Sequence, residues 1–329
     1  MNESLESRIR RLIRENRLWH LGPLLSDPST ETLEAFQRVW ETLDPPTRQE
    51  LATYLVEDAE AEVLYDFRPI FRRLLGDEDP RVRALAIEGL WEDESPALIS
   101  PLLYILQHDP DPEVRAAAAT SLGRFVLLSE LGTLPAREIA PVVEALIDKV
   151  NDEEEDLDVR RRALESIAYI GEPHIYDLIE RAYYHPDVRM QASALFSMGR
   201  SADERWGPLV LAELESPEPE LRYEAALAAG ELELLEALPV LTWLAEHEDD
   251  IQVREAAIEA LGRIGGPEAE RVLTRLLESR DESVDEAVRL ALEELRFKDD
   301  ELPPLIDLWD TMEPDWPLDE DEGEGTGWE

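Results

Sequence analysis

The chain has 329 residues, 43% of them apolar, and 77 Asp and Glu against 32 Lys and Arg, a formal charge of −45. A field of that sign repels phosphate backbones and anionic lipid surfaces, which sets nucleic acid and membrane aside, and it accelerates encounter with a basic protein or peptide. There are no cysteines, so disulfides and thiolate metal sites are excluded; a single core of this size is near its limit, which points to several domains or an elongated array.

From the N-terminus, MNESLESRIRRLIRENRLW mixes charge with Leu and Ile at helical spacing. It lacks the apolar stretch of a secretory signal, and no apolar run approaches the roughly 20 residues of a membrane span. A cytoplasmic protein is expected. Helices are predicted over residues 5–16, 30–43, 44–64 and 66–76, with Asp44-Pro45 as cap and first turn. Together 1–76 reads as a helical cap or a set of divergent repeats.

After residue 76 the sequence repeats. DPRVRALAIEGLW (79–91), DPEVRAAAATSLG (111–123), DLDVRRRALESIA (156–168), HPDVRMQASALFS (185–197), PEPELRYEAALAAG (217–230) and DIQVREAAIEALG (250–262) share Val or Leu before Arg and a small residue three later. The arginines are Arg83, Arg115, Arg160, Arg189, Arg222 and Arg254; a seventh copy carries Asp285 in that place. Each copy follows a second apolar helix, several of them headed by Pro, so each unit is a helical hairpin of a solenoid.

At 100° per residue each arginine falls within the apolar stripe of its helix, and a buried guanidinium needs a partner. The expected partner is the acid opening the next unit's helix: Asp79, Asp111, Asp156 or Asp250 would cap its own helix and receive the neighbour's arginine, forming a structural ladder.

These residues resemble the HEAT-repeat family, and GRIGGPEA (262–269) followed by VLTRLLE is similar to its bilin-lyase-like branch. The resemblance covers about residues 77–297. It implies an all-α, right-handed α-solenoid in which a D-x-x-V-R-x-x-A pattern marks the second helix of each hairpin and stacked Asp and Arg form a ladder. It also implies a protein-binding scaffold, with bilin attachment or detachment as the alternative. The departures are the long gap between Arg115 and Arg160, Ser197 where glycine is usual, and Asp285. The repeats would occupy 77–298 and an acidic, largely disordered tail 299–329, where EPDWPLDEDEGEGTGWE carries no base.

Chemistry is sparse. His20, His108, His174, His185 and His247 are scattered, no nucleophile elbow, phosphate loop or dinucleotide fingerprint occurs, and Asp319, Asp321 and Glu322 fail the calcium-loop template. No catalytic residue, metal or cofactor is expected. The expected partner surface is the solvent side of the motif helices, where Met190, Ala194 and Met198 followed by Tyr223 and Leu227 form an apolar strip, flanked by Arg200, Arg205 and Trp206.

Overall fold

Short polar side chains start several of the helices by accepting the backbone N–H groups that a first turn leaves without partners. Ser4 does so for α1 (Leu5–Arg14) and Ser29 for α3 (Thr30–Trp40), on either side of the short α2 (Gly22–Leu25). The computed structural model describes residues 3–61, 64–279, 281 and 283–299. All of the expected tail after Asp299, including Asp319, Asp321 and Glu322, lies outside them.

The chain continues through α4 (Pro45–Ala61), α5 (Arg68–Leu74), α6 (Pro80–Glu88), α7 (Ile99–His108), α8 (Pro112–Glu130), α9 (Ala136–Asn151) and α10 (Leu157–Ile167). It ends in α11 (Pro173–Tyr183), α12 (Val188–Arg200), α13 (Gly207–Glu213), α14 (Pro219–Glu231), α15 (Leu238–His247), α16 (Ile251–Ile264), α17 (Gly266–Ser279) and α18 (Asp285–Asp299). No strand occurs among the described residues. Nor is any described helix long and apolar enough to cross a membrane.

From α5 onward each odd-numbered helix pairs with the even-numbered one after it, giving seven hairpins among the described residues, the first of which draws α5 from the segment read as a cap or divergent repeats. The long gap before Arg160 is taken up by lengthening two helices. α8 runs for 19 residues and α9 for 16, and Pro141 lies inside α9 rather than at its head. The GRIGGP turn has the expected left-handed backbone, with φ 73° at Gly265 and 85° at Gly266.

Neighbouring hairpins are joined through the even helices, from α4–α6 to α16–α18, whereas successive odd helices touch much less. The ribbon therefore bends with the even helices inside. Their close approach depends on small residues: a Cβ on Gly230 would lie 2.8 Å from the Cα of Ala260, and one on Gly262 would lie 2.9 Å from that of Ala291. The core is one continuous strip of Leu, Ile, Val and Ala along the stack, from Ile9 to Leu295.

Candidate functional site

The motif arginine sits in the first turn of its even helix and divides its donors between two turns. Arg83 gives Nη1 to the Asp77 carbonyl six residues back (2.9 Å) and forks Nε and Nη2 onto Asp109 of the next unit, both at 2.8 Å. Arg115 binds the Asp109 carbonyl and Glu155; Arg222 binds the Ser216 carbonyl and Glu248. Arg254 reaches Asp281 at 2.9 Å. Both ends of the Arg83, Arg115 and Arg222 rungs are largely buried.

The receiving acid is not the one expected. Asp79, Asp111, Asp156 and Asp250 cap their helices as anticipated, and the arginine goes instead to the acid one or two residues before the cap. The cap carboxylate is engaged by its own helix N–H groups. The preceding acid accepts the cap residue's N–H, as Asp77 does from Asp79, Asp109 from Asp111 and Glu248 from Asp250, and this aims its carboxylate across the junction. Burial alone would push the Glu155 carboxyl up; hydrogen bonds from Arg115 and Lys149 bring it down to about 2. The Arg222 guanidinium holds Glu248 low. The acid-x-acid pattern at 77–79, 109–111 and 248–250 was the available signal. A rung before the recognised repeats, Arg48 of α4 on Asp77 at 3.3 Å, carries only the D-P-P-T-R vestige of the motif.

Two junctions in the middle lack the rung. Across from Arg160 the acid position holds His185, which accepts the Asp187 N–H, and Arg160 makes a long bond, 3.4 Å, to the Val150 carbonyl. In α12 the cap is Asp187, so the rung position four residues on is Gln191, whose amide donates to the His185 carbonyl six residues back at 2.7 Å. The position facing it is Ser216. Arg189, placed in the ladder by its V-R dipeptide, is two residues out of register: it is 47% exposed and binds its own cap, Asp187. At the Gln191–Ser216 junction guanidinium and carboxylate are lost together, as the cost of an unpaired buried charge requires, whereas Arg160 is kept opposite a histidine.

That register shift overturns part of the expected partner strip. Met190, Ala194 and Met198 occupy the core positions of α12 and are 2%, 0% and 0% exposed. Trp206 is buried as well, donating Nε1 to the Ser201 hydroxyl and packing edge-on to Tyr176. Arg205 lies over the Tyr176 ring and pairs with Asp203; Arg200 pairs with Glu231 at 3.1 Å. Only Tyr223 and Leu227 of the strip stay half-exposed.

What the inner face presents instead is charge. Arg200, Glu231, Arg263 and Glu294 form an alternating row across α12, α14, α16 and α18. One turn earlier, Arg161 of α10 donates to the Ser193 hydroxyl of α12, which donates to Glu165 at 2.6 Å. Glu224 of α14 faces this network with Oε2 buried and without a hydrogen-bond partner. Burial, reinforced by Glu165, Glu220 and Glu231 and opposed by Arg161, pushes its carboxyl up to about 7.

The family model for HEAT repeats matches residues 67–155, 207–295 and 245–316, most of the chain. The chain belongs to the HEAT-repeat family. The stretch between the first two matches includes α10–α12, where this HEAT array lacks its rungs. No curated protein matches the sequence. Among solved structures, the complex of CpcE and CpcF of phycocyanin lyase from Nostoc sp. PCC7120 is 20% identical over 77% of this chain and 96% of that one, with a TM-score of 0.54, and shares the fold. Human deoxyhypusine hydroxylase is 16% identical over 88% of this chain and 99% of that one (TM-score 0.36), and importin beta 15% over 88% and 48% (0.45).

Proposed function

We propose that this HEAT array is a non-enzymatic scaffold whose inner face, from α10 to α16, binds a basic protein or peptide in the cytoplasm. The observation that carries this reading is Glu224: a carboxylate oxygen shielded from water, with no hydrogen-bond partner, set among three further acids. Of the motif arginines in this span, Arg222 and Arg254 are committed to Glu248 and Asp281 and Arg189 to its own cap. A lysine or arginine side chain laid between Glu224 and Glu165 gains a shielded charge pair, and the half-exposed Tyr223 and Leu227 offer apolar contact to its stem. Pull-down from the native host at low salt tests this. Basic proteins should be retained, released by salt, and lost with Glu224→Arg. Retention of nothing basic, or binding indifferent to that change, would sink the proposal.

A second reading, a bilin-handling accessory, has the fold shared with the phycocyanin lyase complex in its favour. A shared fold does not carry chemistry. Incubation with a linear tetrapyrrole should leave the visible spectrum unchanged if the scaffold reading holds.

A further inference from the structure

The N-terminal end of the array has the opposite character to the rest. In α1, Ile9 and Leu12 are buried, Arg11 pairs with Glu3, and Glu6 pairs with Arg38 of α3. Arg10 and Arg14, one turn apart, are exposed and have no hydrogen bond or ion pair among the described residues. They form the lip of a groove of about 540 Å³ floored by Ile13, Leu18, Leu43 and Leu51, with Glu50 the one acid on its rim. Two unpaired guanidiniums above an apolar floor, in a chain of charge −45, fit a segment that alternates acids with apolar residues.

The chain contains one. Residues 300–329 hold twelve acids and no base, and their first half, ELPPLIDLWDTMEPDW (301–316), sets Leu305, Ile306, Leu308 and Trp309 among Asp307, Asp310 and Glu313. From residue 299 to Trp309 is ten residues, at most about 36 Å fully extended. Between α4 beside the groove and α18 lie seven helix-to-helix steps, about 60 Å along the array at the usual spacing of packed helices. Measured along the array, the segment falls short of its own groove. We propose that the groove between α1 and α4 receives residues 302–313 of a second copy, giving head-to-tail association. A heterologous contact of this kind makes open chains that lengthen with concentration.

Sedimentation velocity of the full chain tests this. The wild type should show species beyond the dimer as concentration rises, dispersed by salt. Arg10→Glu/Arg14→Glu and, separately, Asp307→Arg/Asp310→Arg should each weaken association at least about tenfold while the far-UV spectrum and melting temperature stay unchanged. Mixed one to one, the two variants keep one intact groove and one intact tail between them and should stop at a heterodimer. A wild type that stays monomeric throughout, oligomers that survive the arginine changes, or a mixture that remains monomeric would each overturn the proposal. The last outcome would mean that the tail folds back on its own chain or goes elsewhere.

Discussion

Arg222 of α14 grips Glu248, the acid two residues before the α16 cap, through Nε at 2.8 Å and Nη2 at 2.9 Å, while its Nη1 holds the turn it grew from. A single side chain thus fixes its own helix start and the position of the next hairpin. Its two ends are 16% and 8% exposed. Arg222→Ala should therefore cost about 3–5 kcal/mol, because it leaves Glu248 buried and unpaired. Arg222→Met with Glu248→Leu should recover most of that in urea melts, since an apolar pair leaves no buried charge behind.

The empty rung between Gln191 and Ser216 gives a converse test. Gln191→Arg alone should destabilise, having no acid to meet, and Ser216→Glu alone likewise. The two together should show a favourable coupling of about 1–3 kcal/mol in a double-mutant cycle. A coupling indistinguishable from zero would mean that Gln191 does not stand at the arginine position.

Glu224 makes stability pH-dependent in a direction opposite to most carboxylates. Its folded pKa is raised from 4.5 to about 7, so its favourable contribution is complete below pH 4.5 and is lost as pH rises through 7. Glu224→Gln should raise the melting temperature at pH 8 and leave it unchanged near pH 4.5. Glu155 runs the other way. Its folded pKa is lowered to about 2, so the stability from its pairs with Arg115 and Lys149 is present above pH 4.5 and lost on acidification from there toward 2. Glu155→Gln should flatten that limb of the acid titration.

The glycines at the even-helix contacts set how closely the hairpins stack. Gly230→Ala would place a Cβ 2.8 Å from the Ala260 backbone and should cost about 1–3 kcal/mol by overpacking. A Cβ on Gly76 meets nothing within 4 Å, so Gly76→Ala should change stability by no more than about 0.5 kcal/mol. Equal effects at the two positions would show that the stack yields at the glycines.

The recurring V-R-x-x-A segments, helical spacing and aspartate caps were enough to specify a row of helical hairpins, because these are local properties set by one helix at a time. The caps fell where expected at Asp79, Asp111, Asp156 and Asp250. Which carboxylate meets each arginine was not local. It depends on how far one hairpin is offset along its neighbour, and only the packed stack sets the arginine against Asp109, Glu155 and Glu248 rather than the caps. The same holds for α12. Its V-R dipeptide fits two registers in the chain, and burial of Met190, Ala194 and Met198 against the adjoining hairpins selects the one that turns Arg189 to solvent and Gln191 inward. A sequence can state its periodicity, but the phase of a helix is settled by what it is pressed against.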